Sequence, residues 1–143
     1  MVDKATGKIL VVDDDRLARL LLSTSLEEEG YEVDTAENGK TGLIMLDAKE
    51  YDMLLLDLLM PEMNGYEVLE QLNANGLLYR MPVVVISALD DLESTVKCIE
   101  MGADDYIFKP FERVLLKARV SASLEKKTPA RPRDHVPQAN RGL

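Results

Sequence analysis

Short apolar runs alternate with longer segments of helical period along most of the chain. The first run, "KILVVD" at 8–13, predicts a strand, and the segment 15–30 predicts a helix that ends at Gly30. The stripe of this helix that we expect to be buried consists of Ala18, Leu21, Leu22 and Ser25. The alternation continues, with strands predicted at 31–36, 52–57, 82–87 and 105–108 and helices at 38–50, 64–74, 91–101 and 111–126.

Five strands that alternate with five helices are typical of a doubly wound α/β fold with a parallel sheet, a (βα)5 three-layer sandwich of the flavodoxin-like type. The first, third and fourth strands lack polar alternation, so we expect them in the centre of the sheet, covered on both faces. The second strand alternates, with Tyr31, Val33 and Thr35 on its apolar face, which favours an edge. Right-handed crossovers then favour the strand order 2-1-3-4-5.

Composition and charge exclude several classes of protein. Acidic residues outnumber basic ones by 26 to 17, and the formal net charge of -9 argues against direct nucleic-acid binding and favours basic partners or metal ions. Because there is no signal sequence and no apolar run of the ~18 residues that a membrane span requires, we expect a cytoplasmic protein without membrane contact. The single cysteine, Cys98, is expected to be a small buried residue rather than a catalytic group.

The chain divides into one folded domain, 1–127, and a C-terminal segment, 128–143. The segment contains three prolines, three arginines, the lone His135 and no apolar period, which predicts a flexible tail or linker. The sequence leaves open whether this segment is a native terminus, a linker to an output domain or a set of added residues.

Polar residues follow the carboxyl ends of four predicted strands, namely Asp13 and Asp14, Asp57, Ser87 and Lys109. Ligands of such sheets bind beyond these ends, near the switch between the first and third strands, so we expect these side chains to share one crevice. Asp57 interrupts an otherwise apolar run, "MLLLDLLMP", and taken alone it could simply cap the turn that follows the strand. Three neighbouring carboxylates, however, would repel one another without a counter-ion.

A magnesium ion would remove that repulsion, because it prefers oxygen ligands and is usually held by one or two carboxylates together with phosphate oxygens; Mn²⁺ can take its place. The cluster therefore predicts a site for a metal ion and a phosphoryl group. Lys109 would supply a positive charge and Ser87 a hydroxyl donor to the phosphoryl oxygens. Asp57 is the best candidate acceptor, since a carboxylate can form an acyl phosphate, whereas Asp15 is expected to cap the first helix.

Four motifs together resemble the receiver (phosphoacceptor) domain of two-component response regulators, the chemotaxis-regulator-like domain. They are "VVDDD" at 11–15, "LLLDLLMPEMNG" at 54–65, "VVVISA" at 83–88 and "DDYIFKPF" at 104–111, and the resemblance covers about residues 7–126. It implies that Asp57 accepts a phosphoryl group from a histidine kinase or a histidine phosphotransfer protein. It also implies that the chain catalyses only its own phosphotransfer and dephosphorylation and is not a conventional enzyme.

The resemblance implies roles for the individual acids. Asp14 would bind magnesium directly and Asp13 mainly through water, with Asp57 and the main-chain carbonyl of Leu59 as further ligands. Lys109 would pair with the phosphoryl group.

The resemblance further implies a conformational switch. Ser87 would move toward the phosphoryl group, and Tyr106 would swing inward behind it, changing the face made by the fourth helix, the fifth strand and the fifth helix. The Lys109–Pro110 peptide would be cis. Without the resemblance, Tyr106 reads only as a half-buried aromatic residue on an edge strand.

Two rival functions stay open at this point. A magnesium-dependent aspartyl-phosphate phosphohydrolase usually carries a second acid two residues after its nucleophile, where this chain has Leu59. A flavodoxin-like cofactor binder needs a phosphate-binding loop rich in Ser, Thr and Gly after the first strand, where this chain has acids. Leu59 and Leu89 flank the path of the hydrolytic water in the resembled family, and since neither can orient a water, we hypothesise slow hydrolysis of the phosphoryl group.

The first helix carries more leucines than one buried stripe needs, namely Leu17, Leu20, Leu21, Leu22 and Leu26. The surplus predicts either a docking face for a phosphotransfer helix bundle or a broad buried stripe. The last helix resembles helices that continue toward an output module such as a nucleotide cyclase or a phosphatase.

Overall fold

A computed structural model describes residues 6–127, and the predicted tail at 128–143 lies outside the described residues. The strands are β1 (Lys8–Val12), β2 (Glu32–Ala36), β3 (Met53–Leu56), β4 (Val83–Ser87) and β5 (Asp105–Phe108). The helices are α1 (Arg16–Glu28), α2 (Gly39–Ala48), α3 (Gly65–Ala74), α4 (Leu92–Glu100) and α5 (Arg113–Lys127), with one 3₁₀ turn at Leu77–Tyr79. Every predicted strand and helix is present, with ends displaced by no more than two residues.

The sheet is parallel and has the predicted order 2-1-3-4-5. Its register brings the ends of β1 and β3 to the same level, because Val12 pairs with Leu56. The next residues on the two strands, Asp13 and Asp57, therefore leave the sheet side by side, and the Asp57 amide still donates to the Val12 carbonyl at 2.9 Å.

The strands separate two apolar layers, because successive side chains of a strand point to opposite faces. In β1, Ile9 and Val11 pack with α1 and α5, whereas Leu10 and Val12 pack with α2, α3 and α4. All residues of β3 and β4 are buried, as predicted for central strands. The observed three-layer sandwich thus confirms the predicted fold class.

Two details of the predicted apolar pattern are wrong. Thr35 is exposed, because an edge strand has a neighbour on only one side and its outer side chains receive less cover. Leu21 is 49% exposed, while Leu26 is fully buried in its place. The buried stripe of α1 runs through Leu22, and the adjacent residue lies about 100° away around the helix, at the rim of the contact.

None of the helices in the described part of the chain is long and apolar enough to cross a membrane. Cys98 on α4 is fully buried, as expected, and burial raises the pKa of its thiol to about 11. A thiol with this pKa stays protonated at neutral pH and is a poor nucleophile.

Candidate functional site

Asp13 lies at the end of β1 with both carboxylate oxygens occupied. It is fully buried, and Lys109 donates to Oδ2 at 2.7 Å while the Asp15 amide donates to Oδ1 at 2.9 Å. The main-chain carbonyl of Asp13 accepts a further hydrogen bond from Arg19 Nη1 at 2.8 Å. This residue is therefore held from three directions: by a lysine, by the loop and by α1.

The structure brings Asp14 and Asp57 to the same place as Asp13. Within the described residues, these three acids form a cluster in which one carboxylate oxygen of each lies within 4.8 Å of the others. Asp57 is only 3% exposed, whereas Asp14 faces solvent. A donor set made only of carboxylate oxygens fits Mg²⁺ or Mn²⁺ better than softer metals, which prefer nitrogen or sulfur.

Burial and neighbouring charge strongly perturb Asp57. Burial, followed by repulsion from Asp13, raises the pKa of the Asp57 carboxyl from 3.8 to about 7, and a smaller repulsion from Asp14 adds to this. Lys109, 3.7 Å from Oδ1, and the main-chain N–H of Leu59 oppose the shift. Without a metal ion, the site thus holds excess negative charge that a cation or a proton would relieve.

Asp15 begins α1 rather than facing the acid cluster. Its side chain accepts from the Leu17 amide at 3.2 Å, and its backbone is extended, as is usual for a helix-capping residue. The division predicted for the three consecutive aspartates is therefore present in the geometry: two acids turn to the cluster and one caps the helix.

The loop after β3 returns tightly to the start of α3. The Gly65 amide donates to the Leu58 carbonyl at 2.9 Å, and a Cβ atom at Gly65 would lie 2.5 Å from the main-chain oxygen of Asp57. Asn64 and Glu67 close the helix start with reciprocal side-chain to main-chain hydrogen bonds. Glycine is required here because no side chain fits between the helix and the loop that carries Asp57.

Ser87 and Tyr106 meet at the loop after β4. The Leu89 amide donates to Ser87 Oγ at 3.1 Å, and the Tyr106 hydroxyl donates to the Leu89 carbonyl at 2.7 Å. Ser87 is fully buried, and Tyr106 is 6% exposed rather than half-buried. Burial raises the pKa of Tyr106 to about 12, while a hydrogen bond with Ser87 lowers it. Tyr106 therefore points inward, with its hydroxyl against the loop after β4.

The β5–α5 connection places Lys109 over the acids. Its amide donates to the Ser87 carbonyl at 2.8 Å, and the Lys109–Pro110 peptide is cis, as the resemblance implied. The Leu59 side chain is exposed beside the cluster, and Leu89 is partly buried against the apolar layer.

The structure adds two residues to the site that the sequence pattern did not single out. Arg19 could have been suspected only as a basic residue in the early turns of the first helix, and Gly65 only as a glycine after an asparagine. Neither signal reveals the contact that matters, because both contacts join segments whose distance depends on tertiary packing.

Comparison with known proteins agrees with this geometry. The family model described as "Response regulator receiver domain" matches residues 9–121. The probable transcriptional regulatory protein SilR of Salmonella typhimurium is 42% identical over 119 residues, which cover 83% of this chain and 51% of that protein. The transcriptional activator protein IrlR of Burkholderia pseudomallei is 40% identical, with coverage of 83% and 51%.

A solved structure, the receiver domain of the Francisella response regulator 1452, has a TM-score of 0.79 and 32% identity, and the match covers 84% of this chain and 98% of that one. The chain spans about half the length of the curated relatives it matches. The family match extends over most of the described residues, including the acid cluster and Lys109. The chain therefore belongs to the family of response regulator receiver domains of two-component systems.

Proposed function

We propose that the chain is a signalling switch that accepts a phosphoryl group on Asp57 from a histidine kinase or a histidine phosphotransfer protein. The observation that carries this proposal is the convergence of three carboxylates and one lysine at the ends of β1, β3 and β5. In the transfer, the N–P bond of a phosphohistidine breaks as an Asp57 oxygen bonds to phosphorus, and the freed imidazole takes a proton from solvent. Positioning and charge neutralisation dominate such a reaction, so few further groups are needed.

Asp13, Asp14 and Asp57, with the main-chain carbonyl of Leu59, would hold Mg²⁺ or Mn²⁺ at this site. The ion supplies charge neutralisation for the carboxylates and the incoming phosphoryl oxygens. The ionised form of Asp57 is the nucleophile, and because burial and Asp13 raise the pKa of this carboxyl to about 7, a bound cation would increase its ionised fraction at neutral pH.

Lys109 is already poised between two acids. Its ammonium lies 2.7 Å from Asp13 and 3.7 Å from Asp57, so a small displacement would transfer it from the buried acid to a phosphoryl group on Asp57. Ser87 would follow by donating its hydroxyl hydrogen to a phosphoryl oxygen, which is compatible with its present contact, because Oγ accepts from the Leu89 amide and can donate at the same time. This exchange of contacts is how phosphorylation would alter the face formed by α4, β5 and α5.

The exposed leucines of α1 favour one of the two readings of that helix. Leu17, Leu20 and Leu21 are about half or more exposed, so the broad buried stripe is wrong. We propose that these three residues form the docking face for the helices of the phosphodonor, because an apolar patch next to the phosphoacceptor site suits a helix bundle.

Leu59 favours the signalling switch over the rival function, an aspartyl-phosphate phosphohydrolase. Its exposed side chain stands where such enzymes carry a second acid, and leucine cannot transfer a proton or orient a water. We therefore propose slow loss of the phosphoryl group, which suits a signal and not turnover of an external substrate.

We propose that residues 1–127 form the receiver domain and that 128–143 form a flexible C-terminal tail or linker. Two relatives are named as transcriptional regulators and are about twice as long as the matched region. We propose that this domain acts on an output domain or a partner protein and does not contact nucleic acid itself, in keeping with its net charge of -9.

The direct test is the intact mass of the protein after incubation with Mg²⁺ and a small phosphodonor such as acetyl phosphate. We expect a Mg²⁺-dependent adduct of about 80 Da, one phosphoryl group, on the wild type and none on Asp57→Ala. Asp15→Asn serves as the control and should still form the adduct. An adduct that forms equally on Asp57→Ala, or no adduct on the wild type, would refute the proposal.

A further inference from the structure

The main-chain carbonyl of Asp13 lies beyond the end of the paired part of β1. The Asp13 amide still donates to the Ala36 carbonyl at 3.1 Å, but Ala36 is the last residue of β2, and its pairing with Val12 is the last of the β1–β2 ladder. The Asp13 carbonyl therefore lies past the regular hydrogen bonds of the sheet. Because Asp13 is fully buried, this carbonyl needs a donor from within the protein.

Arg19 supplies that donor from α1. Its Nη1 atom donates to the Asp13 carbonyl at 2.8 Å, and its own amide donates to the Asp15 carbonyl at 3.0 Å. The side chain is partly buried, and the contact is made with a main-chain oxygen and not with a carboxylate. The guanidinium group thus ties α1 to the end of β1, directly beside the acid cluster.

This contact fixes the direction of the peptide group between Asp13 and Asp14. A peptide group is planar, so the orientation of its carbonyl also sets the position of the Asp14 nitrogen and Cα atoms. On the other side of Asp14, the Asp15 amide donates to Asp13 Oδ1, and the Asp15 carboxylate accepts from the Leu17 amide. Asp14, whose side chain faces solvent, is therefore positioned through the main chain on both sides.

We propose that Arg19 is a positioning residue for the metal site, because its hydrogen bond to the Asp13 carbonyl holds Asp13 and Asp14 in the arrangement that binds Mg²⁺ or Mn²⁺. This inference rests on the proposed function, in which both acids hold the ion. The charge of Arg19 acts in the opposite direction, since a positive charge beside a cation site repels the cation. Removal of Arg19 thus relieves a repulsion and releases the main chain, and these two effects change metal affinity with opposite signs.

The loss of the hydrogen bond should outweigh the loss of the charge. Arg19 is partly exposed, and salt screens exposed charges beyond about 8 Å at physiological ionic strength, whereas a hydrogen bond to a buried carbonyl is screened much less. Residues that hold metal ligands in place typically contribute about ten- to a hundredfold to metal affinity. Because Arg19 holds the main chain of the ligands and not their carboxylates, we expect an effect at the lower end, about tenfold.

The experiment measures the Mg²⁺ affinity of the full chain by isothermal titration calorimetry at low and at high KCl concentration. Arg19→Met removes the donor and the charge and should weaken binding about tenfold at both concentrations. Arg16→Met is the matched control, because it removes an exposed positive charge from the first turn of the same helix; it should leave the affinity unchanged or raise it. Arg19→Lys keeps the charge, but its ammonium ends one bond short of Nη1, so most of the loss should persist.

A second measurement needs no metal ion. Relaxation of ¹⁵N in EDTA gives the order parameter of the Asp14 amide, which should have the value of a rigid backbone, about 0.85, in the wild type and in Arg16→Met. Arg19→Met should lower it clearly, because the peptide group before Asp14 has lost its donor. Urea unfolding shows whether each variant is folded, and Arg19→Lys takes the place of Arg19→Met in both measurements if the latter does not fold.

Mg²⁺ binding by Arg19→Met that equals or exceeds that of the wild type would overturn the inference, because the charge would then decide the affinity. An unchanged order parameter of Asp14 would overturn it as well, and wild-type affinity in Arg19→Lys would refute the guanidinium hydrogen bond as the cause. A wild type that binds no Mg²⁺ would count against the proposed function, whereas the order parameters decide independently whether Arg19 orders this segment.

Discussion

Neutralising Asp57 should stabilise the metal-free protein, even though it removes the proposed phosphoacceptor. Asp57 is 3% exposed and shares a cluster with Asp13 and Asp14 in which carboxylate oxygens lie within 4.8 Å of each other. Asparagine has nearly the same shape but carries no charge. Asp57→Asn therefore removes the cost of burying a charged group and the repulsion from Asp13 and Asp14. The packing of the loop stays in place.

The magnitude and its pH dependence follow from the pKa of the same group. The pKa of the Asp57 carboxyl rises from 3.8 to about 7 in the folded protein, chiefly because the group is buried. Between about pH 4 and pH 7 the folded state thus binds a proton that the unfolded state has lost, so the free energy of unfolding falls as the pH rises. At about 1.4 kcal/mol per pKa unit, the full penalty above pH 7 is up to about 4 kcal/mol, and it vanishes below about pH 4.

Urea unfolding followed by far-UV circular dichroism in EDTA at pH 5, 6, 7 and 8 measures this effect. The excess stability of Asp57→Asn over the wild type should grow with pH across this range. Asp47→Asn, an exposed acid on α2, changes the net charge equally and is the matched control. Saturating Mg²⁺ should shrink the difference, since the ion stabilises the wild type by binding its folded state. A variant that is no more stable than the wild type at pH 8, or equally stabilised at pH 5 and pH 8, would refute the reasoning.

Four further outcomes follow from the structure. Asp14→Asn should weaken Mg²⁺ binding, measured by isothermal titration calorimetry, at least tenfold more than Asp15→Asn, because only the first acid faces the cluster; similar losses would contradict this division. Gly65→Ala should lower the free energy of unfolding by about 2 kcal/mol or more in urea, since its Cβ would overlap the loop after β3. Leu59→Asn should shorten the lifetime of the aspartyl phosphate, followed by loss of the mass adduct; a lifetime of seconds in the wild type that this variant does not shorten would contradict slow hydrolysis. Leu20→Glu should slow phosphotransfer from a protein donor while leaving phosphorylation by acetyl phosphate unchanged; equal effects on both donors would remove the docking role of α1.

The convergence of the acids could be predicted from the sequence because it depends on few assumptions. Apolar runs without polar alternation place β1 and β3 in the centre of a parallel sheet, and the carboxyl ends of parallel strands share one edge. Asp13 and Asp57 follow such ends directly, so their proximity needs only the strand order and the register. The capping role of Asp15 is likewise local, since it depends on the next two residues alone.

The packing of exposed and half-exposed positions could not be predicted in the same way. Thr35 and Leu21 fit an apolar pattern and are nevertheless exposed, because periodicity describes a direction around a strand or helix and not the extent of the neighbour that covers it. The orientation of Tyr106 also depends on partners outside its own strand, since Leu89 must present its carbonyl to the hydroxyl.

The sequence by itself thus determined the order of strands and helices, the parallel sheet and the set of acids at its edge, since these follow from periodicity and from chemistry carried by single residues. Only the tertiary structure decided three contacts. Arg19 donates a hydrogen bond to the Asp13 carbonyl, α3 begins so close to the loop of Asp57 that only glycine fits at position 65, and Phe108 packs edge-to-face against Tyr106. The reason is that each of these contacts is set to within an ångström by how packed elements lie on one another, which the pattern along a chain does not encode.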